Sequence, residues 1–243
     1  MYRPKLLDRL ERKLGRFAIP NLMTVIIFGM VLVYLIDTFT NPDYTFDLSS
    51  LLYFDRAAIF SGQVWRVLTF VFMPPNENLL FIVIELYFYY LIGSALERQW
   101  GSFRFNVYYL TGVIGTIIGG FITGFATNEY LNLSLFLAFA MLFPNFQVLL
   151  FFFIPIKIKY LAWIDAIFMF VQLIFSPWSA RVMLIVAFAN FLLFFGKDLL
   201  YHIKLLLRRI GLKLRPKKYS STQEPEKRWK NHWWNDKDND PFH

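Results

Sequence analysis

Apolar residues arrive in blocks of roughly 20, parted by short stretches where charge, proline and glycine collect. A helix of that length matches a hydrocarbon core about 30 Å thick. Residues 1–18 come first, with Leu6, Leu7, Leu10 and Leu14 at helical spacing and Arg and Lys between them. That pattern predicts an amphipathic helix on a membrane surface. Span one is expected over Ile19–Thr38, with Pro20 in its first turn. The stretch Thr40–Gln63 is polar and mixed, turns at Asn41-Pro42-Asp43, and holds a piece (Leu51–Phe60) too short to span. Spans two and three are expected over Asn78–Glu97 and Phe103–Ala126, joined by the basic loop Arg98–Arg104. Span four, Leu131–Phe143, has only 13 residues and reads alone as a buried helix. A compact apolar connection, Phe146–Pro155, leads to span five at Ile158–Phe175. A short loop at Ser176–Ala180 then precedes span six at Arg181–Leu200.

Composition agrees with this reading. Apolar residues make up 57% of the chain and charged ones 17%, a balance rare in water-soluble domains. The net charge of +8 sits at the ends. Residues 1–18 hold six Lys/Arg against two acids, residues 19–196 seven against nine, and residues 197–243 twelve against six. Basic blocks flanking membrane spans predict two cytoplasmic termini and an even number of spans, and they argue for anionic lipid rather than nucleic acid as the partner. Cysteine is absent, which excludes disulfides and thiol chemistry. The leader lacks a small-x-small cleavage site, so no cleavable signal is expected. No spacing of His202, His232 and His243 suits a metal, and no metal or cofactor is expected.

Span three carries Gly112, Gly115, Gly119, Gly120 and Gly124, which let helix backbones approach closely within the bundle or against a partner helix. Past the last span, residues 201–215 predict a juxtamembrane basic amphipathic helix, with seven Lys/Arg and no acid between Lys204 and Lys218. Residues 216–243 are polar and proline-broken and predict a disordered tail. Its Trp229, Trp233 and Trp234 suit either a membrane tether or a docking motif for a cytoplasmic partner.

Between Gly62 and Ser102 the chain carries Trp65-Arg66, Thr69-Phe70, Gly93, Leu96-Glu97 and Trp100-Gly101. Further on come Leu137–Asn145 (LAFAMLFPN) and Phe152–Tyr160 (FFIPIKIKY). In order and spacing these segments resemble rhomboid intramembrane proteases, over roughly residues 19 to 200. The resemblance implies an all-α membrane protein, a six-transmembrane-helix rhomboid-like bundle with both termini cytoplasmic, in the plasma membrane of a prokaryote. A short fourth helix is part of that fold. It also implies a half-submerged first loop on the non-cytoplasmic side, held by Trp65 and Arg66. An indole and a guanidinium both favour the headgroup zone.

Rhomboid proteases use a serine in Gly-x-Ser-Gly on the fourth helix, a histidine on the sixth, and His and Asn oxyanion donors on the second. The serine needs an adjacent base, because a free hydroxyl is a weak nucleophile. Counted from Phe143-Pro144-Asn145, the Gly-x-Ser-Gly window falls on Thr127-Asn128-Glu129-Tyr130. Counted from Gly93 and Glu97, the oxyanion positions fall on Phe81 and Glu85, and counted back from Gly196 the histidine position falls near Ala189. None of the catalytic residue types is present there. Ser134 is the one serine on span four, and its base would have to be His202, expected at the opposite membrane face. Glu85, Glu129 and Asp165 are the carboxylates in or beside spans, and such groups are functional candidates by default. Glu85, Asn128, Glu129 and Asp165 are read as walls of a residual wet cavity. The expectation is a pseudoprotease that binds transmembrane segments of client proteins. Its rivals are a displaced Ser134 protease, carboxylate hydrolysis at Glu85 and Glu129, and a scaffold recruiting a partner through the tail.

Overall fold

The computed structural model describes residues 5–40, 48–75, 78–150 and 154–214. Contacts divide the chain into two units, Met1–Leu200 and Tyr201–His243. The first is a helical bundle and the second is described only through the end of its entering helix. Ten helices run in order: α1 (Lys5–Leu14), α2 (Leu22–Thr40), α3 (Leu48–Leu52), α4 (Arg56–Phe60), α5 (Arg66–Thr69), α6 (Leu79–Trp100), α7 (Ser102–Thr123), α8 (Glu129–Leu142), α9 (Ile158–Phe175) and α10 (Trp178–Leu214). Among the described residues, five stretches are long and apolar enough to cross a membrane: α2, α6, α7, α9 and Trp178–Lys197 of α10. This is a multi-pass helical membrane protein. Its outer face is apolar as lipid requires, most fully on α9, where Trp163, Ile164, Ile167, Phe168, Phe170 and Phe175 are exposed.

The packing centres on α6 and α8. Helix α6 lies against α2, α7 and α8, and α9 lies against α8. Glycine sets the α2–α6 approach, since a Cβ at Gly93 would overlap Cβ and Cγ of Met23. Gly115 and Gly119 face Val186 and Met183 of α10, and Gly112 faces Leu131 of α8. The helix-packing reading of the span-three glycines is what these contacts display.

Between α2 and α6 the chain folds into a compact loop of short elements. Strand β1 (Phe54–Asp55) pairs antiparallel with β2 (Phe125–Ala126), just past α7. The completely buried Phe54 sits over Gly120, where any Cβ would come within 2.7 Å of its ring. Asp55 caps α4 by accepting from the amides of Ala57 and Ala58. Arg66, only 5% exposed, donates to the carbonyls of Ser50 and Tyr53 and to Gln63 Oε1. The Trp65 indole donates to the Leu51 carbonyl. Arg66 is turned inward and the half-exposed Trp65 bonds at the loop surface, so both side chains tie segments of their own loop together.

Several boundaries differ from the sequence reading for local reasons. Helix α2 begins after Pro20, because Asn21 is left-handed at φ +52°. The expected basic loop at 98–104 shrinks to Gly101, whose φ of +84° lets α6 stop and α7 start at once. Helix α7 ends at Thr123 with Gly124 at φ +93°, and the last residues of the expected span form β2. The connection after α8 is a hairpin of β3 (Gln147–Leu150) and β4 (Ile154–Lys157). Helix α10 starts inside the expected loop at 176–180 and runs without a break through the expected juxtamembrane helix. Helix α1 is docked by Arg104 of α7, which pairs with Asp8 and Glu11 at 2.9 Å each. The turn at 41–43 and the tail with Trp229, Trp233, Trp234, His232 and His243 lie outside the described residues, as does the side chain of His202.

Candidate functional site

Two clusters of polar groups stand out inside the bundle. The first ties α7, α8 and α10 together. Ser134 is 1% exposed, and its Oγ lies 2.6 Å from the Tyr108 hydroxyl and 3.2 Å from Asn190 Nδ2, which donates to it. Tyr108 also donates to the Ser134 carbonyl, and Thr111 donates to Asn190 Oδ1 at 2.9 Å. Every heteroatom of this knot that reaches Ser134 belongs to Tyr108 or Asn190. Among the described residues Ser134 hydrogen-bonds no histidine, carboxylate or lysine, and its hydroxyl does not face solvent. A buried hydroxyl held this way stiffens a three-helix junction.

The second cluster lies between α6, α7 and α8. Glu129 opens α8, where the helix N-terminus favours a carboxylate, and its side chain is exposed. Glu85 is half-buried and stands within electrostatic reach of Glu129. One turn along α6, Tyr89 lies near both carboxylates and beside Asn132 and Tyr109. Glu85 Oε2 and the Tyr109 hydroxyl are buried without a hydrogen-bond partner, while the Asn132 amide meets the Tyr89 hydroxyl. Buried polar atoms without partners are costly in an apolar bundle, so such groups mark where water or a ligand can enter. Glu85 sits six residues past Leu79, about 9 Å along the helix at 1.5 Å per residue.

The other expected site residues are placed differently. Asn128 is buried and committed to structure, its amide donating to the carbonyls of Val71 and Met73 at 3.2 and 2.8 Å. It anchors the start of α8 to the loop and offers no free donor to a ligand. Asp165 has a buried Oδ2 without a partner, yet it stands on α9 apart from the Glu85–Glu129 pair. Phe81 is 53% exposed on the outer flank of α6. Ala189 lines an apolar groove of about 410 Å³ between α9 and α10, and its neighbour Asn190 is the residue turned inward. The motif residues Trp65, Arg66, Gly93, Glu97 and Gly101 are all architectural. Glu97 Oε1 accepts from the Asn21 amide and from Ser102 Oγ, joining α2, α6 and α7.

Sequence reasoning did not single out Tyr89, Tyr109, Asn132, Tyr108 or Asn190. Helical spacing carries a signal for two of them: Tyr89 is four residues after Glu85, and Asn132 three after Glu129. No group of three or more metal-ligating side chains occurs among the described residues. No family model, curated protein or solved structure matches this chain.

Proposed function

We propose that this chain is a rhomboid-like pseudoprotease, a six-span bundle with both termini in the cytoplasm that binds transmembrane segments of client proteins without cutting them. The fourth span would be α8, short and central, and the basic ends would hold anionic headgroups. The observation that carries the reading is the polar cluster of Glu85, Tyr89, Asn132 and Tyr109 within the bundle, where Glu85 Oε2 and the Tyr109 hydroxyl have no hydrogen-bond partner. A client helix with a polar residue finds there the partners that lipid denies it. The place counted for a nucleophile is occupied by Glu129, and Ser134 is locked by Tyr108 and Asn190. Among the described residues no general base hydrogen-bonds its hydroxyl.

The reading is tested by a fluorophosphonate serine probe on the protein in liposomes, with an active rhomboid alongside. The expected result is a labelled control and an unlabelled chain. Labelling that disappears in Ser134→Ala would overturn the proposal and establish the displaced-serine protease instead.

A further inference from the structure

A crevice opens on the outer face of the bundle between α6 and α8, towards the end where both helices stop. It holds about 310 Å³ and follows one stripe of α6, in which Tyr87, Leu91, Ser94 and Arg98 recur at helical spacing. Phe139, Phe143 and Phe146 form the opposite wall, the Phe139 ring centroid lying 5.1 Å from that of Phe143 and 5.5 Å from that of Phe146. Arg98, in the last turn of α6, is exposed at the rim. Among the described residues its guanidinium enters no ion pair and no hydrogen bond, and the adjacent Glu97 is taken up by Asn21 and Ser102. Lys157 stands at the same end, because it pairs with Gln147 in the hairpin and the Phe146 carbonyl accepts from the Ile158 amide at 2.8 Å. Its ammonium is likewise without a partner among the described residues.

The dimensions select what fills it. Tyr87 and Arg98 are about 16 Å apart along the helix, the depth of one leaflet in a hydrocarbon core about 30 Å thick. Over that length the volume averages about 20 Å² in cross-section, far below the roughly 80 Å² of a helix about 10 Å across. A neighbouring helix is too wide to enter, whereas one extended hydrocarbon chain fits lengthwise. The two ends also differ, with aromatic and apolar walls along the crevice and unpaired cations at its rim. We propose that the crevice binds one anionic phospholipid, its phosphate held at the rim by Arg98 and Lys157 and one acyl chain running between α6 and α8. A guanidinium can grip a phosphodiester through two parallel N–H donors. Ser94, one turn below Arg98, makes no side-chain hydrogen bond among the described residues and can donate to a headgroup oxygen. A zwitterionic headgroup brings its own cation to the phosphate, so a lipid of net negative charge is favoured. The site uses none of the residues of the Glu85 cluster and does not rest on client binding.

The test uses the full chain in phosphatidylcholine vesicles carrying a trace of phospholipid with a diazirine on its acyl chain, the headgroup being either glycerol or choline. Labelled residues are mapped by mass spectrometry, with the outer face of α9 at Trp163 and Phe168 as the internal reference. Labelling at Leu91, Phe139 and Phe143 should be at least about fivefold higher with the phosphatidylglycerol probe, the worth of one cation at a charged surface. The α9 reference should not distinguish the two probes. Arg98→Gln should lower crevice labelling about fivefold and Arg98→Lys by less, both with unchanged thermal melts. Ser94→Phe, which fills the crevice and leaves both cations, should lower it as well. Equal labelling by the two headgroups, or labelling that survives Arg98→Gln, would overturn the anionic site. Labelling that survives Ser94→Phe would overturn the seat of the acyl chain. Displacement of the probe by millimolar inorganic phosphate would also overturn the proposal, since the rim would then hold phosphate without the lipid.

Discussion

At the scale of single residues, Gly93 and Met23 share a space in which no further atom fits. The backbones of α2 and α6 meet there, so a methyl added at Gly93 must push Met23 aside. Gly93→Ala should destabilise the bundle by about 1–3 kcal/mol, the usual cost of overpacking. Adding Met23→Ala should recover part of that loss, and thermal unfolding in detergent reads both. The polar site was legible only where charge stood out. Glu85 and Glu129 announce themselves because ionisable groups in apolar runs are expensive. Asn132 and Tyr109 do not, since one amide or phenol in an apolar run looks the same whether it packs, bonds or stands open. Asn128 is equally ambiguous in sequence, and its Nδ2 donates to the carbonyls of Val71 and Met73.

Among the elements, the loop between α2 and α6 departs most from hydropathy. Length of an apolar run locates a span, and Ile158–Phe175 coincides with α9 at both ends. Hydropathy is silent where one backbone angle decides, as at Asn21, Gly101 and Gly124. It is equally silent on the two small ladders, whose strands are too short to alternate. The Trp65-Arg66 pair was visible as a motif, and headgroup affinity was the natural physical account of it. Within the loop the guanidinium is a fork whose donors close two carbonyls and one amide oxygen. These accounts separate experimentally. If charge at the interface were its task, Arg66→Lys would be tolerated. The staple predicts that Lys, which cannot reproduce the fork, loosens the loop nearly as much as Ala, by about 1–3 kcal/mol for the stranded acceptors. Limited proteolysis within residues 48–63 should accelerate in both variants.

For the whole molecule, three layers of polarity have different work. Basic ends suit anionic headgroups, an apolar exterior suits lipid, and a small interior holds oxygens with nothing to bind. The first two are what any multi-pass protein needs, and both could be read from block lengths and charge. The third depends on which faces of α6, α7 and α8 meet, which no single segment encodes. It is also where the account is most exposed. Photocrosslinking from Phe81, on the outer flank of α6 one turn before Glu85, in native membranes followed by mass spectrometry of the captured chains tests it most directly. The account predicts intact membrane proteins, attached through their transmembrane segments. Capture of truncated chains ending within those segments, or of lipid alone, would contradict it.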